Sequence, residues 1–406
     1  MIQISENKIN CCGCAACEQT CPRQCISMCP DEEGFSYPVI DYGKCINCNK
    51  CKSVCPVLRE DACQETVKEF PLAYGGWHKN QEVRHDSSSG GAFTLFAEGI
   101  LDDAGVVFGC ALDSDMNAVH TMVETKEELC KLRGSKYVQS DIGKTYIDVK
   151  NALDSGRKVL FVGTPCQAAG LYTFLGAKEN KKLYIVDFIC HGVPSKKLFQ
   201  EYIRDIEKKQ GRKVVSFRFR NKNHGWSQTG LQLGTQIKFN DNMVIRKYPA
   251  FMDHYMNAFL DDICLRPICY ECKFKGTSKV FADFTIADFW GVEKVSKSLN
   301  DGKGTSLILM HNEHAMELWN TLCDKVYYEE VDFQKAIQRN QSLIHSSAMN
   351  PNRKKFFEDF NNKGFQYVNR KYMTAFKWGS HKLFKIIKKL YLRGKGNTYF
   401  EKYPGN

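Results

Sequence analysis

Eight of the 20 cysteines in this 406-residue chain fall into two copies of one spacing. Cys11, Cys14, Cys17 and Cys21-Pro22 form a C-x2-C-x2-C-x3-C-P run, and Cys45, Cys48, Cys51 and Cys55-Pro56 repeat it. Thiolates so spaced hold [4Fe-4S] clusters: the tight loop wraps three corners of a cubane, and the distant fourth cysteine closes the other cluster. The spacing therefore predicts one cluster on Cys11, Cys14, Cys17 and Cys55, and a second on Cys45, Cys48, Cys51 and Cys21. Zinc sites use paired C-x-x-C steps and lack the third cysteine and closing C-P, so zinc or a disulfide net fits the repeat poorly.

Residues 5–58 resemble a bacterial two-cluster ferredoxin, and 34–40 between the two runs reads as the short strand that fold requires. Such a module moves single electrons and has no substrate site, which leaves the reaction to the rest of the chain. Four more thiols could take part: Cys166, Cys190, Cys269 and Cys272 are the number one further cubane needs. A lone C-x-x-C also serves redox pairs and zinc sites, so these residues alone leave the choice open.

The elements around these thiols are legible. Residues 106–110, 158–162 and 183–189 read as buried strands, with helices over 126–132, 142–153 and beyond Pro165. That alternation implies a largely parallel α/β sheet, in which ligands collect beyond the carboxyl ends of the strands, where Cys166 and Cys190 stand. Proline suits the first helical position, so Cys166 is expected where the helix dipole favours a thiolate. Small residues at 86–91 precede an apolar helix at 92–97 and would let backbone N–H groups approach a phosphate; an ordinary serine-capped helix has the same pattern. Gly143-Lys144-Thr145 is no P-loop, because Val138 stands where the earlier glycine belongs. From Ser195 the alternating runs 214–220 and 231–237 suggest antiparallel strands of an α+β region. A strand over 284–291 places Asp288 at its polar exit, and 303–306 opens the expected last strand of the core.

Gly163-Thr164-Pro165-Cys166-Gln167, Phe188-Ile189-Cys190-His191-Gly192, residues 265–274 and Ala287-Asp288-Phe289-Trp290-Gly291 together resemble the beta-subunit family of coenzyme F-420 hydrogenases and dehydrogenases. Order and spacing agree over residues 1–315. The resemblance implies an FAD-containing domain with a [4Fe-4S] cluster near the flavin and, in many members, a fused ferredoxin domain. It makes Cys166, Cys190, Cys269 and Cys272 ligands of a third [4Fe-4S] cluster. Ser88, Ser89, Gly90, Gly91, Lys136 and Thr164 become candidates for FAD contacts. Cys264 competes with Cys190 as the fourth ligand, because it forms a C-x4-C-x2-C run with Cys269 and Cys272. His191 and Lys136 could supply a proton or stabilise reduced flavin, and plain structural roles for both stay open. The substrate, a deazaflavin or another acceptor, is not implied. Among the cysteines without a role, Cys25 and Cys29 continue a spacing of four after Cys21 and leave an alternative ligand set open, and Cys12 reads as a small buried hydrophobe.

Composition sets the remaining bounds. The chain is 43% hydrophobic, with no apolar run as long as a membrane span and no signal-peptide pattern at its start. So many cysteines in an unexported chain point to clusters and reduced thiols in a reducing cytoplasm. Of the formal charge of +11, all comes from residues 351–406, which hold 14 Lys+Arg against 3 Asp+Glu. A neutral body argues against a nucleic-acid-binding enzyme. Residues 382–390 alternate as a basic amphipathic helix that could lie on an anionic membrane surface, dock an acidic donor, or pack on the body with a solvated face.

The expected architecture is mixed, α+β with α/β: an N-terminal ferredoxin-like domain (1–60), a flavin-binding region in two parts (70–194 and 195–345) and a basic, aromatic, helical tail (346–406). The expected activity is electron transfer from a low-potential donor or partner oxidoreductase subunit, through [4Fe-4S] clusters, to FAD and an unidentified acceptor. Its rivals are an electron-transfer subunit with no substrate of its own and a thiol enzyme using Cys166 with only two clusters.

Overall fold

Residues 8–59, 71–227, 229–276 and 280–374 are described in this computed structural model. The first segment is built on an antiparallel hairpin of β1 (Ile26–Pro30) and β2 (Ser36–Ile40). The cysteine repeat is also a backbone repeat. Gly13 and Ala15 in the first run, and Asn47 and Asn49 in the second, all have positive φ (72°, 58°, 54° and 59°), two residues apart within each loop. These turns, which glycine and asparagine adopt at least cost, wind the chain tightly enough for successive thiols to face one centre.

The body carries β3 (Leu72–His78), β4 (Val106–Leu112), β5 (Ala118–Val123), β6 (Val159–Val162) and β7 (Leu183–Phe188). A separate antiparallel sheet follows, made of β8 (Val214–Asn221), β9 (Gly234–Phe239) and β10 (Val244–Lys247). The chain then returns to the first sheet with β11 (Phe284–Asp288), β12 (Ser306–Met310) and β13 (Val326–Glu330). The eight strands of the main sheet run in the order β13-β3-β12-β11-β7-β6-β4-β5.

Only the centre of this sheet is parallel: β4 pairs with β6, β6 with β7, and β7 with β11 in that sense. These strands are apolar and nearly all buried, as strands covered on both faces must be. The largely parallel sheet expected from the alternation is therefore a mixed one. The link between β4 and β5 is a tight turn closed by Asp113 and too short for a parallel crossover, so β5 folds back antiparallel. On the other side β12, β3 and β13 are antiparallel additions, and β13, not β12, is the last strand. Strands from either side of residue 195 thus interleave in one sheet. The strand expected from 231 begins only at Gly234, because the Leu233 N–H closes a turn onto the Gly230 carbonyl.

The start of the expected tail is part of the body. Helices Arg353–Lys363 and Phe365–Tyr372 bury Phe356, Phe357, Phe360, Phe365 and Val368. Arg353 pairs with Glu33 of the hairpin turn, and the Phe357 ring lies 6.3 Å from Phe35. The apolar spacing of these helices decides their fate, whatever their net charge. The 382–390 stretch lies outside the described residues, and no helix among those described is long and apolar enough to cross a membrane.

Arg266 fastens the cysteine module to the sheet. Its side chain is completely buried and donates to Cys11 O at 2.7 Å, Ser36 O at 2.9 Å and Gln139 Oε1 at 2.9 Å. Gln139 Nε2 donates in turn to Cys12 O at 3.0 Å, and the guanidinium lies 4.3 Å from the centre of the Tyr37 ring. Helix Pro165–Phe174 adds a second attachment, with Thr173 Oγ1 donating to Val54 O at 2.7 Å.

Candidate functional site

The structure brings Cys21 to the second cysteine loop and Cys55 to the first. Cys21, Cys45, Cys48 and Cys51 line an outer cavity of about 390 Å³ together with Cys25, Ile26 and Ile40. Burial works against the Cys21 thiolate, but N–H groups of the following turn, Cys25 among them, outweigh it and hold the thiol below its ordinary value. Cys25 Sγ lies 3.3 Å from Cys21 Sγ, and that contact pushes Cys25 up to about 11. Cys48 is exposed, so this site reaches the surface.

Cys11, Cys14, Cys17 and Cys55 form an inner set, each 7–8% exposed. Burial first, then the neighbouring Cys11 and Cys55 thiols, raise Cys17 far above its ordinary value. The set packs on helix Pro165–Phe174: a Cβ on Gly170 would sit 3.0 Å from Cys14 Sγ.

Cys166 begins that same helix, and with it the third thiol set. Cys166, Cys190, Cys269 and Cys272 face one cavity of about 810 Å³, partly open to solvent. Cys166 follows β6, Cys190 follows β7, and Cys269 and Cys272 stand in and just after the 3-10 turn Pro267–Glu271. Thr164 caps the helix through a capping box with Gln167, and its Oγ1 lies 3.1 Å from Cys166 Sγ. The dipole does not win at Cys166. The adjoining Cys12 thiol, then burial, push it well above its ordinary value, which disfavours a free nucleophile there. Cys264 is fully buried and does not line the cavity, whereas Cys190 does. Among the described residues no three His, Cys, Asp or Glu side chains close to single-ion geometry. The thiols surround a larger space, and four soft sulfur donors are the ligand chemistry of a cluster.

Two features of this cavity escape the sequence. Cys12 lines it as a fifth thiol and faces both Cys14 and Cys166. Asp187, Thr285 and His311 also line it as a buried polar chain, with Thr285 Oγ1 donating to Asp187 at 2.5 Å and lying 2.8 Å from His311 Nε2. Burial pushes Asp187 up to about 7 and His311 down to about 4. The one available signal was an aspartate inside the apolar strand Leu183–Phe188. His191 is engaged by Asp262 at 2.5 Å.

The six flavin candidates do not form one cluster. Ser89 Oγ donates to Thr305 O at 2.6 Å, and the Gly90 N–H donates to Ser306 Oγ at 3.0 Å. A Cβ on Gly90 would meet Gly76 O at 2.4 Å, so this glycine serves close packing against β3. The helix Ala92–Asp102 is capped by Gly91 at φ 97°, without a serine side chain. Ser88 reaches Ser135, whose N–H donates to Ser88 Oγ at 2.8 Å. Lys136 Nζ donates to the carbonyls of Lys131, Leu132 and Arg133, and burial lowers it to about 8. Thr164 stands apart, beside Cys166. One further polar group was not revealed by any spacing: Arg220 donates to Tyr137 Oη at 3.0 Å and to Asp288 at 2.8 Å. Its Nε is buried and has no acceptor among the described residues. Asp288 ends β11, next to β7, whose last residue Phe188 is 36% exposed. An open buried donor at the carboxyl end of a parallel strand suits a polar group of a bound cofactor.

Residues 73–145 match the family model for the N-terminal part of the coenzyme F420 hydrogenase/dehydrogenase beta subunit, and residues 156–336 match the model for its C terminus. The chain belongs to the coenzyme F420 hydrogenase/dehydrogenase beta-subunit family. In this beta-subunit family member the two matches span the main sheet and most of the 810 Å³ cavity. Residues 38–58 match a 4Fe-4S binding domain, which takes in Cys45, Cys48, Cys51 and Cys55. Among solved structures, a chain from the xenon-derivatised F420-reducing [NiFe] hydrogenase complex of Methanosarcina barkeri is similar at 16% identity and TM-score 0.42, over 77% of this chain and 93% of that one. No curated protein matches.

Proposed function

We propose that this beta-subunit family member is an electron-transfer oxidoreductase subunit holding three [4Fe-4S] clusters and FAD. Cys21, Cys45, Cys48 and Cys51 hold the outer cluster, and Cys11, Cys14, Cys17 and Cys55 the inner one. Cys166, Cys190, Cys269 and Cys272 hold the third. When bound, these groups supply single-electron transfer and, at the flavin, the pairing of two electrons. Ser88, Ser135 and Arg220 contribute polar contacts to the flavin at the carboxyl ends of the parallel strands.

The observation that carries this reading is the shared helix. Pro165–Phe174 presents Cys166 to the third cavity at its first turn, and one turn later its Gly170 backbone touches Cys14 of the inner set. One rigid element thereby fixes two thiol sets against each other, and Thr173 anchors the Cys55 loop through Val54 O. The outer set, with Cys48 exposed, is the side a low-potential donor or a partner subunit reaches. Asp187, Thr285 and His311 make part of the third cavity's lining polar, and Lys275, another lining residue, donates to Cys190 O.

Anaerobic purification followed by iron and flavin analysis tests the proposal. About 12 iron atoms per chain and bound FAD are expected; about 8 iron atoms would remove the third cluster from the scheme. Loss of the same cluster from each of the Cys166→Ala, Cys190→Ala, Cys269→Ala and Cys272→Ala variants is the further requirement. A native protein without flavin overturns the flavoprotein part.

A further inference from the structure

Among the described residues, the face over the outer cavity combines exposed apolar groups with a net positive charge. Ile46, which lines the cavity with the surface-reaching Cys48, is 60% exposed, and Tyr42, at the start of the same loop, is 63% exposed, far more than their size would lead one to expect. Arg23 and Lys50 both line the cavity, and Lys44 and Lys52 stand on the same loop and short helix as Lys50. Against these four cations the 22–24 and 41–53 segments carry a single acid, Asp41, and it is held by Lys44 at 3.0 Å. Arg23, Lys50 and Lys52 have no ion-pair partner among the described residues. The acids of the hairpin turn lie elsewhere, with Asp31 and Glu32 taken by Lys8 and Glu33 by Arg353.

An apolar centre ringed by like charges is the anatomy of a transient, steered interface. We propose that this face docks an acidic one-electron carrier protein, with Ile46 and Tyr42 at the contact centre and Arg23, Lys44, Lys50 and Lys52 steering its approach. The proposal rests on the electron-transfer reading above and names the partner class for its outer site. The net positive face accounts for the sign: an acidic carrier gains in encounter rate from several cations at once, whereas a basic one is repelled. The apolar centre accounts for specificity at short range, since it is desolvated only by a protein surface that closes over it.

The test uses the full, anaerobically loaded chain and two donors, an acidic two-cluster ferredoxin and a reduced viologen dye. Dissociation constants for the oxidised ferredoxin are measured by calorimetry at low and physiological ionic strength, beside the kinetics of cluster bleaching with each donor. The triple variant Lys44→Glu, Lys50→Glu, Lys52→Glu and the single variant Ile46→Asp are compared with the parent at equal iron content. Expected are a loss of ferredoxin affinity of at least about tenfold in the triple variant, a parent affinity that falls with added salt, and viologen bleaching that is not slowed. Ferredoxin affinity unchanged in both variants overturns the docking proposal, as does a parent that binds only a basic carrier. Failure of viologen to bleach the parent's clusters would instead overturn the electron-transfer reading, so the two failures are distinct.

Discussion

Replacing Arg266 by methionine tests whether one buried cation fastens the cysteine module to the body. The side chain fills a site with no solvent exposure, and its three hydrogen bonds reach Cys11 O, Ser36 O and Gln139 Oε1. Methionine keeps most of the volume and loses every donor. Two backbone carbonyls are then left unpaired in the interior at about 1–3 kcal/mol each, and the contact with Tyr37 is lost at about 1–2 kcal/mol. Removing a buried charge recovers part of this, because its desolvation no longer opposes folding. The net loss is about 3 kcal/mol, which is roughly a hundredfold shift toward the undocked module. Hydrogen exchange of the β1–β2 amides, followed by mass spectrometry on anaerobic protein, reads that shift directly. Expected is faster exchange at residues 26–40, with iron of the outer and inner sets retained, because in the proposed ligation the module's own thiols hold both. Arg266→Lys should fall in between, since an ammonium keeps the charge but not the planar fork that serves three acceptors. Unchanged exchange in Arg266→Met would refute the reasoning and leave Thr173 and the Arg353–Glu33 pair as the fastening.

Four other perturbations follow from named contacts. Cys55→Ala should remove the same cluster, by its spectroscopic signature, as Cys11→Ala, and Cys21→Ala the same one as Cys48→Ala; loss within each sequence run instead would show uncrossed ligation. Cys264→Ala and Cys12→Ala should both keep the full iron content, while Cys190→Ala loses about four iron atoms; the reverse pattern would reassign the fourth ligand. Gly170→Ala forces a methyl to within 2.9 Å of Cys14 Cβ and 2.8 Å of Tyr146 Oη, so a thermal unfolding scan should show a destabilised protein and iron analysis a partly lost inner cluster. A variant as stable as the parent would show that the helix and module separate easily. Asp187 is raised from 3.8 to about 7 by burial, so the folded carboxyl keeps a proton that the unfolded chain releases across that interval. Its contribution is thus fully present below pH 3.8 and lost as pH rises through about 7, a change on the order of 4 kcal/mol. Asp187→Asn should flatten denaturant stability against pH over this window, and an identical slope in both proteins would place the titration elsewhere.

What the sequence made legible follows from how far apart the cooperating residues lie. Eight cysteines on two short loops announce their partners because each loop holds three of its four thiols, and the repeated turns at Gly13, Ala15, Asn47 and Asn49 are local too. Cys166 and Cys269 share no local signal: their number only left a further cluster open, and resemblance to a family favoured it, before the sheet brought both to one cavity. The buried strands β4, β6 and β7 were readable from their apolar runs, whereas β13 hides behind Tyr327, Tyr328, Glu329 and Glu330, an edge strand that is half solvated and reads as polar. The flavin candidates show the opposite case, a signal with more than one cause. Ser89 and Gly90 look like a phosphate-binding turn, but the same small residues are needed where the chain passes Gly76 and Ser306 too closely for a Cβ. Arg220 carried no motif at all, since its open Nε is created by Asp288 and Tyr137 arriving from two other segments. Candidate ligands are therefore readable in the chain, while the placement of the third thiol set depends on residues such as Arg266 and Gly170. Their importance is set by what the fold presses against them.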